Sequence, residues 1–480
     1  MGLRERLPGP RREGRADENS ATANYGKTAS FLSIGVGLTG AITYVYFFIA
    51  SHVLSTPDYG EIAVLWSAVF ITVSTLYRPI DQLLSRHISE GVEKGESVSE
   101  PIRVATRIQL ALAAGFSVIT LALRGPIQDG LLSGNETLYW VFFSAVLFYA
   151  ASYFARGYLA GYRRFGLFTA LILSESVFRT MFAVLVAVGL LSGQSAVAMG
   201  IVAAPALSQM VVPAVFARKA GRTGGSDDMP GREVKEIPND ATASEGDFSL
   251  KDGAGFTGAV ILIMFSEQAF LNAGPLIVRS LEDAAAAGFI FNVLMIARAP
   301  LQLFQAVSTS ILPHLTTLHT SKEPNSEDEF HHSVRMVLLA ITGFTAVVAL
   351  AVIIAGPQLM QLAFSDKFTY DRGGLLLITA GMGLYLSAVT VNQACLAQGQ
   401  VRRASARWIG CAAFFIVWCF VPLISDEFRR IEIGFAVTAA LLLALLFAIY
   451  RRPHERAEDV PTTGSSEELE AQLAAADEGT

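Results

Sequence analysis

Charge is what this chain has least of. Only 16% of its 480 residues are Asp, Glu, Lys or Arg, against about 25% in soluble domains. Hydrophobic residues make up 52%, and the mean hydropathy is +0.45. That deficit excludes an ordinary water-soluble globule and points to a chain solvated by lipid. Cysteine is scarcer still. Cys395, Cys411 and Cys419 all fall in apolar runs, with no Cys-x-x-Cys or Cys/His spacing. Such cysteines read as small packing residues rather than disulfide partners or metal ligands. No Gly-x-x-x-x-Gly-Lys-(Ser/Thr) stretch occurs, which excludes ATP hydrolysis through a P-loop. No basic stripe interleaved with aromatics lies outside the apolar runs, so no nucleic-acid surface is expected. His331-His332, beside Glu327, Asp328 and Glu329, reads as a solvated polar loop rather than a metal site. The residues suggest no catalytic constellation, no metal and no cofactor, and the expectation is a protein that is not an enzyme.

What the chain does have is long apolar runs. A bilayer core takes about 20 apolar residues in helical form, and backbone groups in lipid must pair internally, so such runs are helices. Twelve are expected, over 30–51, 61–83, 104–123, 138–156, 167–190, 195–216, 255–278, 285–312, 334–355, 373–396, 405–424 and 431–450. Residues 218–254 are rich in Gly, Asp, Glu and Pro with no apolar period. They divide the helices six and six. The expected architecture is all-α, with an N-terminal lobe over 30–217, a cytoplasmic inter-lobe loop over 218–254, and a C-terminal lobe over 255–450. Residues 1–29 read as a disordered cytoplasmic tail and 451–480 as an acidic one. No sequence repeat relates the halves.

Lysine and arginine set the orientation. With the N-terminus in the cytoplasm, 26 of the 36 Lys and Arg residues fall in inside segments and six in outside ones. Arg156, Arg163 and Arg164 are counted among the inside group. Both termini are then cytoplasmic. Four arginines remain within spans: Arg78, Arg107, Arg179 and Arg298. Arg107, one turn from its span's end, can snorkel to the interface. For Arg78, beside Pro79, snorkelling and cavity lining stand level. Arg298, Gln302 and Gln305 follow an i, i+4, i+7 spacing that puts one cation and two amides on one helix face.

Arg179 sits one turn after Glu175, the favourable i, i+4 order. Either the pair neutralises itself, or Glu175 orients Arg179 toward an anion or takes up a proton. Each such charge costs roughly 2.5–3.5 kcal/mol at a helix centre in lipid, so the pair calls for a reason. Glu267 is a further mid-span carboxylate, able to pair with a cavity arginine or to titrate. Asn392 is either cavity lining or an interhelical hydrogen-bonding residue. No lysine occurs in any span. A guanidinium stays charged and offers a planar fork of donors to phosphate oxygens, so an arginine-only interior suits a phosphate-bearing substrate.

The connections carry motifs of their own. Leu54 to Gly60 reads Leu-x-x-x-Asp-Tyr-Gly, Gly161 to Phe165 reads Gly-x-x-Arg-Phe, and Leu312-Pro313 closes the eighth span. In this order across about residues 30–450, the chain resembles the polysaccharide-exporter, or Wzx-type, branch of the multidrug/oligosaccharidyl-lipid/polysaccharide (MOP) flippase superfamily. The resemblance implies two six-helix lobes around a central cavity that opens alternately to either side. It implies export of oligosaccharide linked to polyprenyl phosphate or diphosphate across a prokaryotic plasma membrane. Membrane lipids, glycosyltransferases or a polymerase would be its partners. Arg78, Arg179 and Arg298 are the positions able to fill the family's cationic-cavity role. Two other readings stay open: a MATE-like antiporter of organic cations working through Glu175 or Glu267, and a scaffold recruiting glycosyltransferases through 218–254 and the acidic tail.

Overall fold

The computed structural model describes residues 34–222, 250–308 and 326–451 apart from 366 and 369. Side chains are described there except at 93, 211–222, 250–257, 299–308, 326–327 and 329. Most of the two tails, the middle of the 218–254 segment and Leu312-Pro313 therefore lie outside the described residues, and the side chains of Gln302 and Gln305 do too. Among the described residues the chain is helical, with no strand. It runs α1 (Ile34–Val53), α2 (Thr56–Leu76), α3 (Arg78–Lys94), α4 (Ser99–Ala122), a π-helical turn (Pro126–Leu131), α5 (Glu136–Gly161), α6 (Phe165–Ala187) and α7 (Gly193–Arg222). It continues with α8 (Leu250–Leu281), α9 (Ala284–Ser308), α10 (Ser326–Phe364), α11 (Arg372–Ala397), α12 (Val401–Phe420) and α13 (Glu427–Tyr450).

Every expected span corresponds to a helix. Ten stretches of the described residues are long and apolar enough to cross a bilayer, and Ala284–Arg298 adds a shorter apolar one. The chain is a multi-pass membrane protein. The second span is where the helix pattern departs from expectation. It breaks at Tyr77, two residues before Pro79, whose missing amide hydrogen leaves the Thr75 carbonyl without its i→i−4 bond. Tyr77 O accepts from both Ile80 N and Asp81 N at 3.1 Å, so the break is a single-residue kink and α3 continues the span to Lys94. A second correction concerns His331 and His332. They lie within α10, not in a loop, and His331 Nδ1 hydrogen-bonds the Tyr450 hydroxyl.

Successive spans are antiparallel. One face of the bundle carries the turns at 54–55, 123–135, 188–192, 282–283, 365–371 and 421–426; it is called the turn face here. The opposite, tail face carries 95–98, 162–164, 398–400 and the ends at 34 and 451. Caps fix several helix starts on the turn face. Asn135 Oδ1 accepts from Leu138 N at 3.2 Å, Asp371 Oδ2 from Gly374 N at 3.1 Å and Asp426 Oδ1 from Arg429 N at 3.2 Å. Each satisfies an amide that the first helical turn leaves unpaired.

Packing falls into two sets. In the first half α6 lies on α7, α5 on α3 and α7, and α4 on α3. In the second, α11 packs on α13 and α10, and α12 on α8 and α13. The halves meet chiefly where α2 lies against α8 and α9. Two facing glycines permit that approach: a Cβ on Gly60 would stand 1.7 Å from the Ala284 carbonyl oxygen, and one on Gly288 would stand 3.0 Å from the Gly60 Cα. The Leu54–Gly60 motif is thus a docking element. Its Tyr59 hydroxyl bonds Asn292 of α9, its Leu54 carbonyl accepts from Lys367 Nζ at 3.2 Å, and Ser55 caps α2.

Candidate functional site

The contacts between halves are distributed unevenly along the membrane normal. On the turn face they include Tyr59–Asn292, Tyr59–Phe368, Lys367–Leu54, and Arg279 Nη2 to Ser133 Oγ at 2.8 Å. At mid-height they include the Tyr44 hydroxyl donating to Met295 O at 2.5 Å, Phe47 against Phe291, and Arg78 Nη1 to Glu267 Oε2 at 3.9 Å. Toward the tail face, the described contacts stay within one half: Ser89 to Gly161 O, Gln400 to Ile449 O, and His331 to Tyr450. The described contacts between the halves thus lie at the turn face and at mid-height.

The intramembrane charges gather at mid-height and below. Arg78 begins α3 and has Asp81, Tyr153, Glu267 and Tyr385 as its charged and phenolic neighbours. Its side chain is nonetheless 38% exposed and that of Glu267 17%. Arg78 thus stands among α5, α8 and α11 with over a third of its side chain exposed.

Glu175 does not neutralise Arg179. Its carboxylate accepts from the Ser152 hydroxyl and from Arg156 Nη2, both on α5. The i, i+4 pair expected from the sequence is absent, because α5 packs beside α6 and brings Ser152 and Arg156, themselves four residues apart, onto Glu175. Arg156, the partner of Glu175, is an interior cation that the sequence reading placed in a cytoplasmic connection. It lies 1.4 turns inside α5 with its side chain 16% exposed, above the Tyr153 ring at 4.5 Å. Asp81 lies close to it as well. The signal in the sequence was Ser152-x-x-x-Arg156, a polar pair on one face of an otherwise apolar helix.

Arg179, freed of Glu175, lies 4.4 Å from the centroid of the Trp66 ring. Nη1 reaches Thr43 Oγ1 of α1 at 3.4 Å, and Nε meets no acceptor. The residue is 4% exposed. A cation–π contact contributes about 0.5–2 kcal/mol, which does not match the loss of five hydrated donors. Arg298 is placed similarly in the other half. Its Nη1 donates to Asn272 Oδ1 at 3.1 Å, its Nε is also unpartnered, and Tyr44 and Tyr385 are its charge-sensing neighbours. No described carboxylate lies within ion-pair distance of Arg179 or Arg298. Consecutive α1 residues, Thr43 and Tyr44, thus face the two arginines, one in each half.

Four arginines (Arg78, Arg156, Arg179, Arg298) share this interior with three carboxylates (Asp81, Glu175, Glu267). The buried hydroxyl of Tyr149, beside these groups, also lacks a partner, and that of Tyr385 lies beside Glu267. Donors outnumber acceptors. Asn392 is held elsewhere: its Oδ1 accepts from Trp408 Nε1 at 3.0 Å, joining α11 to α12. Arg107 is exposed on α4, as a snorkelling residue would be. No group of three or more potential metal ligands occurs among the described residues.

No family model matches the chain, and no curated protein matches it in sequence. Solved structures do match in fold. An inward-facing multidrug-resistance MATE transporter of the MOP superfamily superposes with a TM-score of 0.63 at 11% identity, covering 88% of this chain and 97% of that one. An outward-facing MATE transporter of that superfamily gives 0.57 at 14% identity, over 88% and 95%. A mutant of the Vibrio cholerae MATE transporter VcmN gives 0.56 at 15% identity, over 90% and 97%. The fold of this chain is that of MATE/MOP transporters, and the proteins it matches are transporters rather than enzymes.

Proposed function

We propose that the protein is a flippase that moves oligosaccharide linked to polyprenyl phosphate or diphosphate across the plasma membrane of a prokaryote by alternating access. The observation that carries this is the pair of interior arginines, buried Arg179 and part-buried Arg298, each with an unpartnered Nε and no described carboxylate in reach. A donor-rich, acceptor-poor interior favours a group that is all acceptors and negatively charged. In this reading the two six-helix lobes are 30–217 and 255–450, and the tail face, which holds the Lys/Arg excess, is cytoplasmic. Arg78 then meets the phosphate first, and Arg179 and Arg298 hold it. The sugar head group crosses between the lobes while the lipid stays in the bilayer.

The second reading, a MATE-like cation antiporter, draws support from the fold likeness. Charge weighs against it, because each interior carboxylate already has an arginine: Glu175 has Arg156, Glu267 has Arg78, and Asp81 lies near both. The test is glycan export in cells carrying an Arg179→Ala, Arg298→Ala double variant. Export is lost while the protein remains inserted at normal levels. Normal export by the double variant refutes the proposal, and loss of organic-cation resistance in Glu267→Gln instead establishes the antiporter.

A further inference from the structure

α4 packs on α3 and α5 but not closely on α8. Between α2, α4 and α8 lies an apolar groove of about 390 Å³, lined by Ile71, Thr75, Leu112, Gly115, Ile119 and Phe265 among others. That volume falls in the ~300–1,000 Å³ range of small-molecule sites. No charged side chain lines it. Ile119 and Phe265 are 59% and 42% exposed, so the groove opens sideways toward lipid.

The groove does not end in lipid alone. Arg78 follows Thr75 by three residues, on nearly the same face of the α2–α3 span. Glu267, the ion-pair partner of Arg78, is on α8, the helix whose Phe265 lines the groove. The Thr75 hydroxyl lines the groove and bonds nothing, whereas Thr72 Oγ1 donates to Ala68 O at 2.8 Å in the usual helical manner. One seam between the halves therefore carries an apolar channel, a free hydroxyl and a half-exposed guanidinium in sequence. From this arrangement, and resting on the function proposed above, we infer that the α2–α4–α8 groove holds the hydrocarbon chain of the lipid whose phosphate meets Arg78. Apolar contact along the groove and charge at its inner end match the two halves of such a lipid.

Gly115 makes the inference testable, because a Cβ built there meets nothing within 4 Å. Gly115→Trp fills the groove, and Gly115→Ala hardly changes it. Binding is measured to the full-length protein in nanodiscs with two probes, a long-chain polyprenyl phosphate and a glycosyl phosphate without lipid. Gly115→Trp weakens polyprenyl phosphate at least about tenfold, equivalent to ~1.4 kcal/mol, and leaves glycosyl phosphate unchanged. Gly115→Ala binds both as wild type does. A photo-crosslinking residue at Ile119, with Gly115 intact, captures polyprenyl phosphate, and Arg78→Gln reduces that capture; this arm holds even where the Trp variant fails to fold. Unchanged polyprenyl binding in Gly115→Trp, or no capture at Ile119, overturns the groove while the arginine site stands. Failure of the wild type to bind either probe overturns both.

Discussion

The partner of Glu175 is the sharpest local prediction, because sequence and structure name different residues. Sequence spacing favours Arg179 on the same helix, whereas the structure gives Arg156 on the neighbouring one. The perturbations are Glu175→Gln, Arg156→Gln and Arg179→Gln, alone and in pairs. Removing one member of a buried ion pair costs about 3–5 kcal/mol, since it strands the other charge. Arg156→Gln should reach that range, because Glu175 would keep only the Ser152 hydroxyl. Glu175→Gln should cost less, about 2–3 kcal/mol, because glutamine still accepts from Ser152 and Arg156 retains Asp81 nearby. The Glu175/Arg156 double variant should then be more stable than the sum of the singles implies, by about 1–3 kcal/mol. For Glu175/Arg179 the coupling should be smaller than for Glu175/Arg156, because the two side chains share no hydrogen bond. Equilibrium unfolding of the detergent-solubilised protein reads all six variants. Additivity at Glu175/Arg156 combined with strong coupling at Glu175/Arg179 would refute the geometry described here.

Three further outcomes follow from other parts of the molecule. Gly60→Leu drives a side chain into the Ala284 carbonyl and should cost ~1–3 kcal/mol in unfolding experiments, while parting the halves at the turn face; a variant as stable as wild type contradicts the glycine seam. A single cysteine at Arg78 should react with a membrane-impermeant thiol reagent applied from the tail face and not from the turn face, against a silent background, since Cys395, Cys411 and Cys419 are buried. At the turn face, burial pushes the Asp371 carboxyl up, but hydrogen bonds from Arg429 and Gly374 N outweigh it and hold it below the ordinary carboxylate range. Its stabilisation is complete above the unfolded pKa of about 4 and is lost as pH falls through the folded value. The melting difference between wild type and Asp371→Asn should shrink on acidification below about pH 4, and a constant difference would show that the carboxylate charge contributes nothing.

The spans were legible because lipid imposes one solution, helical runs of a set length, and each expected run has its helix. The break at Tyr77 was only half legible: Pro79 announces a kink, but not that α3 runs on to Lys94. Its continuation is amphipathic, with Arg86 Nε on Glu90 Oε1 at 2.7 Å, and so falls outside a hydropathy reading. Arg78, Arg179 and Arg298 could be singled out by charge alone. Their partners could not, because pairing across helices depends on which faces meet. Arg156 was masked by a span boundary drawn one turn short, and Asn392 by its polarity, which serves Trp408. The docking role of Leu54–Gly60 was visible as a motif but not as a reason, which came only with α9 packed against Gly60.

The central claim is that Arg179 and Arg298 exist to hold an anionic lipid head group in transit. Proteoliposomes containing the purified protein and a fluorescent polyprenyl-diphosphate-linked sugar, with outer-leaflet label quenched by a membrane-impermeant reductant, measure that transit directly. Wild-type protein should expose the inner-leaflet pool to quenching, and the Arg179→Ala, Arg298→Ala variant, reconstituted to the same density, should not. Equal quenching by both proteins, or transport by the wild type of an organic cation in place of the lipid-linked sugar, would contradict it.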